Sequence, residues 1–157
     1  MATSMFIKFD GIDGESTSKD HRGEIEVLSW GWGMSASSSS TGGGAGAGKA
    51  TPREFRFVHR YDKASPELLR KAARGLHIAS AVLTERRAGA GQRDFLKITL
   101  KEVLVSSIES GDDGSGPTEQ VALSVGDITF SVAPQTVAGA FETPVAVDWN
   151  VRTGSIA

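Results

Sequence analysis

Apolar and polar residues alternate with a period of two in several segments of this chain. That pattern is typical of β-strands with one buried and one exposed face, so each segment is predicted to be a strand. Their apolar positions are Phe55, Phe57, His59 and Tyr61; Leu96, Ile98, Leu100, Leu104 and Ile108; Val121, Leu123 and Val125; Ile128, Phe130 and Val132; and Val145, Val147, Trp149 and Val151. Because only Gly126-Asp127 separates the third run from the fourth, these two are predicted to form a hairpin with a tight turn.

The segment 24–34 changes its apolar phase partway along. Apolar residues first occupy odd positions, at Ile25 and Val27, and then even positions, at Leu28, Trp30, Trp32 and Met34. A one-residue shift of this kind predicts a β-bulge, which is common where strands bend around a barrel. The opposite face carries only Ser29, Gly31 and Gly33. This bare face indicates another segment packed against the backbone, an open space or a plain barrel corner.

One segment has the signals of a helix. Ser65 is predicted to be its N-cap, Pro66 its first residue and Glu67 an acid in its first turn, while Gly75 is well placed to end it. Its apolar stripe is predicted at Leu68, Leu69, Ala72, Ala73 and Leu76, with Arg70, Lys71 and Arg74 towards its end.

Two segments lack any apolar periodicity. Residues 35–51 (SASSSSTGGGAGAGKAT) are predicted to be a long mobile loop between strands, and residues 111–117 a shorter one. Several strands with one short helix predict a mainly β fold, namely a compact β-barrel or sandwich flanked by one α-helix. The 157 residues suit a single domain, predicted to span 1–157.

Composition excludes several classes of function. The formal net charge of −2 provides no basic field for nucleic acid or an anionic membrane, and the absence of cysteine excludes thiolate chemistry and disulfides. The first residues carry no secretory signal, and no apolar stretch reaches membrane-spanning length. The chain is therefore expected to fold in the cytoplasm and, if it is exported, to leave by a signal-independent route.

No motif supports catalysis or a cofactor. Residues 43–49 match the start of a phosphate-binding loop, but Ala50 stands where magnesium needs a hydroxyl and Pro52 where a helix should begin. The histidines lack metal-ligand spacing, and the acidic groups lack the EF-hand order and are predicted to lie in turns. The histidines are His21, His59 and His77, and the acidic groups are Asp10, Asp13 and Glu15, with Asp112 and Asp113.

The tryptophans leave a second interpretation open. Trp30 and Trp32 on one strand face are predicted to be core residues, but exposed tryptophans would suit a carbohydrate- or ligand-binding β-module. A hydrolase with a dispersed site is a third alternative, and it would require a pocket with strongly perturbed titratable groups.

Several segments of the chain together resemble a known family. MFIKFDGIDGES and DHRGEIEVLSWGWGMS are similar to the start of Hcp, the haemolysin-coregulated protein of bacterial type VI secretion systems. The likeness continues through GGGAGAGK, YDKASPELL, GLHIASAVLTERRAG, LKITLKEVLVSSIESG and PTEQVALSVGDITFSVAPQ. The order and spacing of these segments cover nearly the whole chain.

The resemblance implies a compact two-sheet β-barrel with a flanking helix and an extended loop. It also implies a homo-hexameric ring with a wide channel, which stacks into the secreted inner tube of the type VI system. The implied partners are further copies of the chain, a spike at the tip of the tube, the sheath and effector proteins carried in the lumen. No enzymatic activity and no cofactor are implied.

Two sets of residues are then predicted to be functional. Ser29, Gly31 and Gly33 are predicted to face the channel and to leave room for cargo. The long loop is predicted to contact a neighbouring subunit or ring, through Ser38, Gly42, Gly43, Gly44, Gly46, Gly48 and Lys49.

Overall fold

The structure, a computed structural model, describes residues 3–37, 50–87 and 93–157. Within these ranges lie ten strands and one helix. The strands are β1 Thr3–Phe9, β2 Ile25–Gly31, β3 Met34–Ala36, β4 Ala50–Pro52, β5 Phe55–Arg60, β6 His77–Arg87, β7 Asp94–Asp112, β8 Pro117–Ser124, β9 Asp127–Val132 and β10 Val145–Asn150, and the helix is α1 Ala64–Arg74.

Six antiparallel strands close into a barrel. Around the barrel they follow the order β7-β6-β1-β2-β5-β8, and β8 pairs back onto β7. Strands β9 and β10 extend this sheet outward from the first half of β7, so β10 lies at its edge. The predicted mainly β barrel with one helix is confirmed. β1 and β6 are central strands that the alternation had not revealed.

The barrel encloses one apolar core. Its inward side chains are fully or almost fully buried, and Ala64 and Leu68 of α1 reach the same cluster, so the helix packs against the barrel. Burial of this kind supplies most of the free energy that stabilises such a fold. The largest buried apolar side chains include Phe9, Phe55, Phe57, Leu68, Leu83, Leu100 and Leu123.

The predicted hairpin across Gly126-Asp127 is wrong. β8 and β9 do not pair with each other: β8 pairs with the second half of β7 and β9 with the first half. The chain therefore continues from β8 into β9 in one direction, and both strands lie along the 19-residue strand β7. A tight two-residue turn with glycine first needs a positive φ at that glycine, and Gly126 does not have one.

A backbone irregularity in β7 also corrects the predicted face of that strand. Ile98 and Leu100 are buried as expected, but beyond Glu102 the buried residues are Val103 and Val105, while Leu104 is only half-buried. Glu102 has a φ of 53°, in the left-handed region, and this conformation shifts the alternation by one residue.

The bulge predicted in β2 is confirmed. The pairing of β2 with β5 shifts between Val27 and Ser29, which leaves Leu28 as the extra residue. Leu28 and Met34 do not share the buried face of Trp30, as the phase predicted; their exposed fractions are 40% and 43%.

Helix α1 begins earlier than predicted. Lys63 is the residue before the helix, so Ser65 is not the N-cap and Pro66 is not the first helical residue. The carboxylate of Asp62 accepts a hydrogen bond from the Ala64 amide at 2.9 Å. The Ser65 hydroxyl accepts one in return from the Asp62 amide at 3.1 Å, so the two side chains cap the helix reciprocally.

The end of α1 follows the prediction, but its apolar stripe does so only in part. Gly75 adopts the left-handed conformation that ends the helix. Leu68 is buried in the core, whereas Leu69 and Leu76 are 55% and 43% exposed.

Both predicted loops include residues with regular structure. The ends of the longer one pair as β3 and β4, with Met34 opposite Pro52, and the shorter one narrows to a turn between β7 and β8. In that turn the Asp112 carboxylate accepts hydrogen bonds from the amides of Gly114 and Gly116, as expected of a turn aspartate. Residues 38–49, which carry the predicted inter-subunit positions, lie outside the described residues.

Candidate functional site

The bare face predicted on β2 lies on the outside of the barrel. Ser29 and Gly31 are exposed, and a Cβ atom built on Gly31 would have no neighbour within 4 Å. A shallow groove runs here between β2 and β5 and is lined by Ser29, Trp30, Gly31, Arg56, Phe57, Val58 and Gln120. Gly33 lies just beyond β2, where its Cβ would contact the Arg53 side chain at 3.4 Å.

The chemistry of this groove suits binding. Its lining combines backbone, one hydroxyl, one amide and the Arg56 guanidinium, and it contains no carboxylate or histidine. Catalysis by general acid and base would require titratable groups with matched proton affinities. The groove therefore lacks the groups of an acid–base site.

The tryptophans opposite this face pack inward, as the core prediction required. Trp30 stacks on Phe55 with ring centroids 5.8 Å apart, and its indole N–H donates to Glu85 Oε1 at 3.0 Å. Trp32 contacts Phe130 and Trp149, so it joins the end of β2 to the outer strands. Both rings are therefore partly buried against the core, whereas a sugar-binding platform would present them to solvent.

A second surface is apolar and uncovered. On β9 and β10, Val132, Val145 and Val147 are 42%, 69% and 40% exposed, although alternation predicted a buried face. The pairs Val145–Val132 and Val147–Phe130 place these side chains side by side. We call Val132, Val145 and Val147 the valine patch. Sequence alternation had indicated which residues share this face but not that the face remains exposed.

The outer edge of β10 is only half covered. Asp148 exchanges two backbone hydrogen bonds with Ala157, and the Asn150 amide donates to the Ser155 carbonyl at 2.8 Å. These contacts fold residues 155–157 along the second half of β10. No such pairing appears along Val145–Val147 among the described residues, and unpaired strand edges readily add another chain.

The histidines lie in separate, structural environments. His21 is held between Glu24 and Asp94, each 2.9 Å from a ring nitrogen, and stacks on Phe6. His59 is fully buried and contacts Glu119 at 2.9 Å. No group of three or more potential ligands converges on a metal site within residues 3–37, 50–87 and 93–157.

Comparison with known proteins accounts for this architecture. Residues 6–132 match the family model described as "Type VI secretion system effector, Hcp". Protein hcp1 of Pseudomonas aeruginosa is 47% identical, and the match covers 97% of both chains. The chain belongs to the Hcp family.

Solved structures agree with this assignment. Hcp1 from Salmonella typhimurium superposes with a TM-score of 0.81 at 31% identity, covering 100% of each chain. A structure described as a type six secretion system protein reaches a TM-score of 0.92 at 26% identity, covering 99% of this chain and 100% of the other. The resemblance noted in the sequence is confirmed, and this Hcp is a type VI secretion tube protein.

Family membership bears on activity as well. Hcp proteins are structural secretion proteins that oligomerise, and they are not a family of enzymes. Within the described part of the chain, the single helix is too short and too polar to span a bilayer.

Proposed function

We propose that six copies of this Hcp close into a ring, that rings stack into the inner tube of a type VI system, and that the channel carries effectors. The observation that best supports this proposal is the valine patch, because contiguous exposed apolar side chains can mark a protein–protein interaction site. A second copy of the chain is the occupant that membership in an oligomerising family favours.

The exposed apolar residues favour a cyclic arrangement over a two-fold dimer. Leu28 lies on β2, three strands away from β7 in either direction around the barrel, while the valine patch belongs to the strands that extend from β7. An exposed leucine on one side of the barrel and the valine patch on the other suit a head-to-tail contact, and such contacts close into rings when the rotation between copies permits it.

The remaining assignments complete the proposal. Residues 1–157 act as one building block. Ser29, Gly31 and Gly33 face the channel, and the loop 35–51 contacts the neighbouring subunit or the next ring. The partners are the spike, the sheath and effector proteins. The protein assembles in the cytoplasm, is then secreted through the type VI system, and has no enzymatic activity of its own.

Size-exclusion chromatography with light scattering, followed by electron microscopy, tests the assembly. We expect the wild-type chain to give a discrete mass six times that of one subunit, and rings that stack into tubes. Deleting residues 38–48 should leave rings of six that no longer stack, because the barrel core lies elsewhere. A wild-type monomer at every concentration would contradict the ring. Tubes and secretion by the deletion variant would contradict the role of the loop.

The channel assignment predicts the effect of a charge at Gly31. We expect Gly31→Glu to fold and assemble normally, because a Cβ there meets nothing within 4 Å. Six carboxylates around one channel should reduce the amount of effector that co-purifies with the rings by about tenfold or more. Quantitative mass spectrometry of affinity-purified rings measures this amount.

Gly111→Glu is the matched control for that variant. Gly111 lies at the far end of β7, where an added Cβ also has no neighbour within 4 Å. The control should retain effectors at the wild-type level. Equal retention by both variants would show that Gly31 does not face the channel.

A further inference from the structure

The fully buried His59 has one ring nitrogen without a partner. Its Nε2 lies 2.9 Å from Glu119 Oε1, and the Glu119 side chain is itself only 2% exposed. An ionised carboxylate oxygen can only accept a hydrogen bond. Nε2 therefore carries a proton and donates it to Glu119 Oε1. The other nitrogen, Nδ1, is buried and makes no hydrogen bond. Buried polar atoms are rarely left this way, so Nδ1 calls for an explanation.

The group facing Nδ1 is the capping carboxylate of helix α1. Asp62 Oδ1 lies 3.8 Å from Nδ1, just beyond hydrogen-bond distance. The same oxygen accepts the Ala64 amide and so holds the first turn of the helix. An unprotonated Nδ1 and a carboxylate oxygen are both acceptors, which explains why they do not close to a shorter distance.

We propose that His59 is a proton-operated latch between the barrel core and helix α1. When Nδ1 takes up a proton it becomes a donor to Asp62 Oδ1, and the gap closes to the short distance of a charge-assisted hydrogen bond. The protonated ring then bridges Glu119 on β8 and Asp62 before α1. The first turn of the helix is held more tightly to the barrel in acid than at neutral pH.

The charges around the latch define where it operates. Glu119 and Asp62 face the two ring nitrogens. Glu15 lies close enough to Asp62 for its negative charge to raise the pKa of the Asp62 carboxyl. Glu26 on β2 and Arg60 on β5 line the cleft beside Asp62. Four carboxylates and one guanidinium therefore surround the latch.

The sign of the pH effect follows from both groups. Burial is the main cause that raises the pKa of Asp62 above its ordinary value, so its carboxylate is fully charged only above that raised value. The latch therefore closes in a window bounded below by protonation of Asp62 and above by loss of the His59 proton.

Hydrogen exchange of the Ala64 amide in the full-length protein tests the latch directly. After correction for intrinsic exchange rates, we expect protection at about pH 5.5 to exceed that at about pH 8 by about tenfold, the typical value of one hydrogen bond to a charged group. In His59→Gln this difference should vanish, because glutamine does not titrate. It should also vanish in Asp62→Asn, which keeps a capping oxygen but lacks the charge.

His77→Gln is the control, since His77 is exposed on β6 and should leave the pH dependence unchanged. A pH dependence that persists at wild-type size in His59→Gln would overturn the proposal, as would its absence in the wild type. Should the variants not fold, the ¹⁵N shifts of the His59 ring in the wild type decide the matter. Protonation of Nδ1 in step with Ala64 protection supports the latch, and a ring that stays neutral down to about pH 5.5 refutes it. Ring assembly does not enter this test.

Discussion

Replacing Phe57 by alanine is expected to lower the free energy of unfolding by about 3–5 kcal/mol, the usual cost of removing a buried phenylalanine side chain. Phe57 is fully buried, on a strand that pairs with β2 on one side and β8 on the other. Its ring packs against Phe9 and His59, with centroid separations of 5.8 and 5.5 Å. A cavity at this position cannot collapse easily, because the neighbouring strands are closed into a barrel.

Urea denaturation at a fixed protein concentration measures this loss, since the stability of an oligomer depends on concentration. Arg56→Ala is the matched control, because Arg56 is the preceding residue on the same strand and its side chain is exposed. The control should unfold within about 0.5 kcal/mol of the wild type. An equal loss in both variants would mean that the inner and outer faces of β5 have been assigned incorrectly.

A single added methyl group at Gly14 is expected to be nearly as damaging. The Cβ of an alanine there would lie 2.5 Å from the carbonyl oxygen of Glu24 and 2.7 Å from the amide nitrogen of Ile25. Both are backbone atoms, so a side-chain rotation cannot relieve the clash. The Gly14 amide also donates to the Gly23 carbonyl at 2.8 Å, and this bond joins the two ends of the segment between β1 and β2.

We therefore expect Gly14→Ala to cost about 3 kcal/mol, at the upper end of what overpacking usually costs. The shift in the urea midpoint is the measurement. Gly111→Ala serves as the comparison, because a Cβ at Gly111 meets nothing within 4 Å and neither glycine has a positive φ. A wild-type midpoint for Gly14→Ala would show that the two chain segments are further apart than described.

The local features of this protein were largely predictable. Alternation identified β5, β9 and β10, the phase change identified the bulge after Val27, and Gly75 identified the end of the helix. Each of these depends on neighbours close in sequence, through the pleat of a strand or the left-handed conformation of a single residue. The likeness of the quoted segments to Hcp proteins also led to the correct family.

Errors arose wherever a distant segment decided the outcome. Gly126-Asp127 has the composition of a tight turn, yet β7 offers a continuous partner to both β8 and β9, so the chain does not reverse there. The start of α1 was misplaced for a different, local reason. The Asp62 carboxylate and the Ser65 hydroxyl each accept a backbone hydrogen bond at the start of the helix. In the sequence, Ser65 attracted the N-cap prediction because a proline follows it.

The candidate site could be recognised only in outline. The bare positions Ser29, Gly31 and Gly33 were visible in the sequence, but the groove beside them needs Arg56 and Gln120 from other strands. The exposure of the valine patch and the latch at His59 left no sequence signal. Alternation describes which residues share a face, and exposure depends on what else packs there.

By itself, the sequence determined the class of fold, the family and most local elements, because periodicity, turn chemistry and residue size act over a few neighbouring positions. Only the tertiary structure decided which strands pair, which apolar face stays uncovered and which buried nitrogen lacks a partner. These properties depend on segments distant in the chain, such as His59 with Glu119 or β7 with β9, and they exist only once the barrel has closed.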